Sequence, residues 1–326
     1  MHATPPPSVA VMGAGAVGCY FGGMLARAGV PVTLIGRPNH VEAIRQHGLF
    51  LDSRHFVGVV RVGADTSARA VRSARFVLFC VKTLDNESAA EALRPHLAPG
   101  ALIVSLQNGV DNVERLRAVL DVPVIPAVVY VGAEMAGPGR VKHTARGDLV
   151  IGRLPAGGPV DHKELEGLAS LFEGAGVPCR VSEAIEAELW RKLIINCAYN
   201  AVSALGQARY GRIMANPWTK EVLRKVAEEA AAVARAAGVP LDTPAMVEAV
   251  WRLADSMPAV RSSTAQDIAR GKRTEIDSFN GYVARRGAEL GVPAPVNQTL
   301  HALVKLREET AAESAGDPAD SAPGRG

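Results

Sequence analysis

Ser8-Val-Ala-Val-Met-Gly-Ala-Gly-Ala-Val-Gly18, SVAVMGAGAVG, decides how the first half of this chain is read. Ser8 to Met12 is a short apolar run of the kind a buried strand requires. It leads without a spacer into Gly13, Gly15 and Gly18, after which Cys19 to Ala28 suits a helix that ends at Gly29. Pro31 to Ile35 (PVTLI) then reads as a second strand. The glycines therefore stand where a strand turns into a helix and a parallel strand follows. A Cβ there would block the turn or hold the backbone away from an anion, whereas exposed N–H groups and the helix dipole attract one. The pattern predicts a pyrophosphate-binding dinucleotide site over Gly13, Ala14, Gly15, Ala16, Val17 and Gly18. The competing reading is the same turn with no ligand.

The end of the second strand bears on which dinucleotide. An NAD site commonly places Asp or Glu about twenty residues beyond the first glycine to hold the ribose hydroxyls. Here Leu34-Ile-Gly-Arg-Pro38 has no acid before Glu42. Arg37 can pair with a 2′-phosphate, which argues for NADPH; otherwise it is a solvated loop arginine.

Further strands follow at α/β spacing. Arg75 to Val81 (RFVLFCV) and Ala101 to Leu106 (ALIVSL) are continuous apolar runs, expected of strands covered on both faces. They end in Lys82-Thr83 and in Gln107-Asn-Gly109. Ligands of open α/β sheets bind at the carboxyl ends of strands, so Lys82 and Asn108 are placed for cofactor or substrate. Asn108-Gly109 also reads as a plain turn. From Val122 to Gly152 short strands rich in Gly and Pro suggest antiparallel additions to the sheet.

A chain of 326 residues exceeds what one core usually serves, so two domains are expected. A net charge of +3, with its basic residues scattered, gives no footprint for nucleic acid. No apolar stretch reaches the roughly eighteen residues of a membrane span, and MHATPPPSVAV lacks a signal-peptide pattern. Cys19, Cys80, Cys179 and Cys197 lie far apart with no C-x-x-C pair and no metal-ligand spacing, as reduced thiols of a cytoplasmic protein would. No metal site is expected. The tail from about Thr310, rich in Ala, Gly, Pro, Ser and Asp, reads as disordered over 311–326.

After about Val181 helix punctuation takes over. Asn216-Pro217 reads as an N-cap with proline at the first helical position, Thr243-Pro244 opens another helix, and Ser263-Thr-Ala-Gln266 fits a capping box with Ser263 as the cap. Two more helices are expected from Thr274 and from Pro295. In Trp190 to Leu205 (WRKLIINCAYNAVSAL), Lys192, Asn196 and Asn200 recur at every fourth position and form one stripe among apolar residues. Asparagine is a poor helix former and an unusual choice for a bland exposed face. Burying an ammonium and two amides without partners would cost several kcal/mol. The stripe is therefore expected to face water, a partner or a cleft; a solvated edge with Lys192 snorkelling is the bland reading, and the wall of a cleft between domains is favoured over it. In the second polar cluster, Ser262 to Asp277, local rules leave Ser263 as a cap and Glu275 as a first-turn carboxylate.

These segments together resemble the ketopantoate reductases (2-dehydropantoate 2-reductases). GAGAVG, LIGRP, CVKT, SLQNG, RKLIINCAYNAVSAL and SSTAQDIARGKRTEIDSFNG occur in that family's order and spacing over nearly the whole chain. The resemblance implies an N-terminal Rossmann-type dinucleotide-binding domain (1–180) and a C-terminal all-helical bundle (181–310). It implies NADPH-dependent reduction of a 2-oxo acid in pantothenate synthesis, with Lys192 as general acid and Glu275 on the substrate's hydroxyl. Asn108, Asn196, Asn200 and Ser263 would hold substrate; Gly13, Gly15, Gly18, Arg37 and Lys82 would serve the cofactor. The chain departs from the family's pattern at Val260, often asparagine, and at Thr264, commonly methionine. A related β-hydroxyacid dehydrogenase and a non-catalytic NADPH sensor are the rival readings, and a homodimer is left open.

Overall fold

The structure, a computed structural model, describes residues 7–54 and 56–316, with side chains to residue 311. Its contacts divide the chain into two compact units, Met1–Glu186 and Ala187–Gly326.

The first unit is an α/β unit whose elements are β1 (Val9–Met12), α1 (Ala16–Arg27), β2 (Val32–Ile35), α2 (Pro38–His47), β3 (Leu49–Asp52), β4 (Val57–Val60), β5 (Gly63–Asp65), β6 (Phe76–Phe79), α3 (Asn86–Leu93), β7 (Leu102–Ser105), α4 (Asn112–Arg117), β8 (Val124–Gly137), β9 (Arg140–Gly152), α5 (His162–Gly174) and β10 (Cys179–Ser182). The strands join one sheet in the order β4-β3-β9-β8-β7-β6-β1-β2-β5, with β10 beside β9. β1 pairs in parallel with β2 on one side and β6 on the other. The strand order therefore reverses at β1, the place where open sheets of this kind receive ligands.

Alternation along the central strands supplies two cores. Val9 and Val11, with Leu78 and Val104, pack in the core that holds Phe21 and Leu25 of α1 and Phe172 of α5. Ala10, Val77, Phe79 and Ile103 join Leu93 of α3 and Leu116 of α4 on the other face. Successive side chains point to opposite faces, so both must be apolar, and each fully buried Val, Leu or Phe contributes about 1.5–3 kcal/mol.

The stretch from Val122 to Gly152 differs from the expectation of short strands. It forms one long antiparallel ribbon, β8 with β9, and β9 then takes β3 and β10 in parallel. The glycines mark irregularities within the ribbon rather than strand ends. Register shifts flank Gly132, where a Cβ would lie 2.8 Å from Thr144 Oγ1 across the ribbon.

The second unit is helical: most of α6 (Ile185–Gly206), then α7 (Tyr210–Ala215), α8 (Pro217–Ala236), α9 (Thr243–Ser256), α10 (Ser263–Ala269), α11 (Asn280–Glu289) and α12 (Pro295–Gly316). Asn216 caps α8 as read, its Oδ1 accepting from Trp218 N–H (2.9 Å) and Thr219 N–H (3.2 Å). α10 corrects the cap assignment: Ser262 Oγ accepts from Ala265 N–H (3.1 Å), so Ser262 is the N-cap and Ser263 the first helical residue. Thr274 does not open an α-helix either; Glu275 precedes a single 3₁₀ turn, Ile276–Ser278, and α11 starts at Asn280. α12 continues to Gly316, into the stretch read as a tail. The rest of the expected tail, 317–326, lies outside the described residues. No helix among the described residues is long and apolar enough to cross a membrane.

Candidate active site

The three glycines of the first turn do different work. Gly13 has φ +103°, and a Cβ on it would lie 2.7 Å from Val81 N. Its N–H and that of Ala14 donate to the Ile35 carbonyl at the end of β2 (3.0 and 2.9 Å). Gly18 is buried; a Cβ there would lie 2.3 Å from Gly13 O and 2.8 Å from Val11 Cγ1, so α1 could not lie this close to β1. Gly15, the N-cap of α1, is exposed, has an extended backbone that any residue adopts, and faces open space. Nothing among the described residues requires glycine at that position. The open space at the helix start leaves room for a ligand's close approach, so the turn fits a dinucleotide's pyrophosphate. Ala16 and Val17, half-buried, form the first turn of α1.

A histidine that sequence reasoning missed braces this turn. His40 Nδ1 accepts from Gly139 N–H (2.8 Å), which leaves the proton of the neutral ring on Nε2, 3.1 Å from Cys19 Sγ. The Cys19 thiol reaches on to the Ala14 carbonyl (3.4 Å). Burial lowers the His40 pKa and pushes the Cys19 thiol up to about 12, so both stay neutral. All four cysteines are free thiols.

Arg37 is the exposed N-cap residue of α2, directly after β2, and its side chain does not cap the helix. The nearest acid in the neighbouring strand, Asp65 at the end of β5, is engaged by Ser67 N–H (2.9 Å) and by Arg45 (3.6 Å). No carboxylate stands at the end of β2 itself.

Lys82 and Asn108 lie, half-buried, in the loops that follow β6 and β7. A chain of buried amides ties those loops together. Ser105 Oγ donates to Gln107 Oε1 (3.1 Å), and Gln107 Nε2 donates to the Val81 carbonyl (2.9 Å) and to Asn86 Oδ1. Asn86 Nδ2 donates to Asn112 Oδ1 (2.9 Å), and Asn112 Nδ2 to the Asn108 carbonyl (2.8 Å). Asn86 and Asn112 went unremarked in the sequence. The signal was there: each is a poor helix former opening a helix just after a strand end. Arg115 adds an outer link, donating to the Thr83 carbonyl (2.8 Å) and to Glu87 (2.8 Å); that bond holds the Glu87 carboxyl below its ordinary pKa.

In the second unit the stripe of α6 passes from half-buried to buried: Lys192 and Asn196 are half-exposed, Asn200 only 3% exposed. The side-chain amides of Asn196 and Asn200 make no hydrogen bond among the described residues. Neither amide is among the fully enclosed polar atoms left without a partner, so solvent reaches both and a ligand can take that water's place. The stripe is tied to α10 through backbone: Ser262 Oγ donates to the Asn200 carbonyl (3.3 Å), and Ser262 N–H to Ser203 Oγ (3.2 Å). Ser263, beside that cap, is exposed. Val260 faces α7, its carbonyl accepting from Tyr210 N–H (2.9 Å), and Thr264 is buried. Glu275 is half-buried at the start of its 3₁₀ turn. The residues expected at a site thus fall into two sets. Gly13 to Gly18, Arg37, Lys82 and Asn108 belong to the first unit; Lys192, Asn196, Asn200, Ser263 and Glu275 belong to the second.

A Rossmann-type sheet with a glycine turn between β1 and α1, followed by a helical unit, defines the class of two-unit dinucleotide-dependent proteins. Residues 9–156 match the family model of ketopantoate reductase PanE/ApbA, and residues 184–308 match that of its C-terminal part. The chain belongs to the ketopantoate reductase family. A 2-dehydropantoate 2-reductase of Pyrococcus abyssi is 32% identical over 302 residues, covering 91% of this chain and 97% of that protein. One from Vibrio cholerae is 30% identical, covering 93% and 98%. Among solved structures, a PanE/ApbA family ketopantoate reductase from Ralstonia eutropha JMP134 superposes with a TM-score of 0.86 at 51% identity, covering 94% of this chain and 99% of that one. A D-mandelate dehydrogenase solved with NADH and anilino(oxo)acetate shares the fold at 23% identity, with the same TM-score.

Proposed function

We propose that this chain reduces 2-dehydropantoate to pantoate with NADPH, as a cytoplasmic step of pantothenate synthesis. The observation that carries the reading is the α6 stripe: a lysine followed at four-residue steps by two amides that no other described residue satisfies. Amides suit a substrate's carboxylate and hydroxyl because they donate and accept without titrating.

Gly13 to Gly18 would hold the pyrophosphate, Arg37 the 2′-phosphate, and Lys82 further cofactor oxygens. Bound reduced nicotinamide would supply the hydride that the carbonyl carbon accepts. As that carbon is reduced, negative charge develops on the ketone oxygen. The Lys192 ammonium stabilises it and gives up a proton from Nζ, which solvent restores. Asn108, Asn196, Asn200 and Ser263 orient the substrate, and Glu275 accepts a hydrogen bond from its hydroxyl.

The test is NADPH oxidation, followed by nicotinamide absorbance, with 2-dehydropantoate and a panel of branched and aryl-substituted 2-oxo acids and 3-oxo acids, in wild type and Lys192→Ala. The expected result is the highest kcat/KM with 2-dehydropantoate. Lys192→Ala should still bind NADPH while its turnover falls about 10²- to 10⁴-fold, the range of a lost general acid. A preference for a 3-oxo acid refutes the substrate; undiminished turnover in the variant refutes the acid.

A further inference from the structure

The turn that carries Glu275 is held on both sides by one face of α12. Upstream, Thr274 N–H donates to Glu308 Oε1 (2.6 Å). Downstream, Asp277 accepts from His301 Nε2 (2.6 Å) and from Lys305 Nζ (3.1 Å). Lys305 also pairs with Glu308 (3.0 Å), so one ammonium bridges Asp277 and the carboxylate that holds Thr274, the two anchor points on either side of Glu275. His301, Lys305 and Glu308 can act together because their spacing puts them on one side of the helix. Arg285 of α11 adds a bond to the Asp277 carbonyl (3.1 Å), and Thr274 Oγ1 accepts from Ile276 N–H (3.2 Å). Gly281 leaves room for the imidazole: a Cβ there would lie 2.8 Å from His301 Cδ2.

We propose that Asp277, His301, Lys305 and Glu308 are positioning residues that fix the Thr274–Asp277 turn and so set the direction in which Glu275 presents its carboxylate, with Lys305 as the shared cation. This rests on the reading of Glu275 as the substrate-contacting carboxylate. Without Lys305 the like charges of Asp277 and Glu308 are no longer bridged, and the turn loosens while the helical packing around it remains. The half-buried setting keeps these charges from being fully screened, which gives the clamp its directional force.

The experiment is a double-mutant cycle of Lys305→Met and Glu275→Gln, with Lys305→Arg as the conservative variant and hydrogen exchange of the 274–278 amides as a substrate-free readout. Lys305→Met should speed exchange at these amides and raise KM for 2-dehydropantoate about tenfold, a coupling of ordinary size for residues in one network. KM for NADPH should not change, and Lys305→Arg should restore most of the loss. In the Glu275→Gln background, adding Lys305→Met should alter KM less than about twofold. Unchanged exchange in Lys305→Met overturns the clamp. An equal KM penalty in both backgrounds overturns its action through Glu275. Full activity of Glu275→Gln removes the underlying reading and the positioning role with it, a result distinct from either of the others.

Discussion

Gly15→Ala separates a ligand-binding turn from a merely tight one. Chain neighbours apart, the added methyl meets no atom of the described residues within 4 Å. The backbone there (φ −84°, ψ −167°) suits alanine, so reduced freedom of the unfolded chain stabilises by about 0.4–1 kcal/mol. Alanine is a poorer N-cap than glycine, which removes a few tenths to about 1 kcal/mol. The two effects offset, and Tm should stay within about 2 °C of wild type, given about 2–4 °C per kcal/mol for a unit of this size. The methyl does project where a phosphate would approach the helix start. Overpacking of about 1–3 kcal/mol there corresponds to about 5- to 150-fold weaker NADPH binding. Gly18→Ala is the control with the opposite signature. Its methyl would lie 2.3 Å from Gly13 O and 2.8 Å from Val11 Cγ1. Forcing α1 off β1 should cost about 1–3 kcal/mol and lower Tm by about 2–12 °C. Isothermal titration with NADPH and ligand-free thermal scans read both numbers. Wild-type affinity in a stable Gly15→Ala protein would show that the open face beside Gly15 is not where the phosphates lie.

Arg37→Ala should narrow the preference for NADPH over NADH by about ten- to a hundredfold, the value of a charge-assisted bond to phosphate; an unchanged ratio of kcat/KM for the two cofactors makes it a solvated arginine. Burial alone would raise the Asp277 pKa, but hydrogen bonds from His301 and Lys305 and the charge of Lys305 hold it below its ordinary 3.8. A depressed folded pKa gives stability that is present above the unfolded value and lost as pH falls through the folded one. Asp277→Asn should therefore lower Tm at pH 7 and flatten its decline below about pH 4; a parallel decline in both proteins would show that Asp277 does not contribute to the acid limb.

Much of the molecule was present in short segments of sequence. SVAVMGAGAVG announced strand, turn and helix because every part of that signal is local: apolar alternation, glycine where a Cβ collides, and a helix beginning at once. Asn216-Pro217 placed a helix start for the same reason. The α6 stripe was visible because asparagine twice at a four-residue step runs against helix propensity. What local pattern could not carry was any choice between neighbours or partners far apart in the chain. Ser262 and Ser263 are equivalent as sequence, and only the backbone entering α10 turns Ser262 toward Ala265 N–H. The long β8–β9 ribbon reads as broken pieces until the facing strand shows that its glycines are bulges. The amide chain from Ser105 through Asn86 to Asn112, and the clamp from Thr274 to Glu308, join residues tens of positions apart. Polar side chains of ordinary type acquire such roles only when folding removes water and leaves each with a few fixed partners to bond.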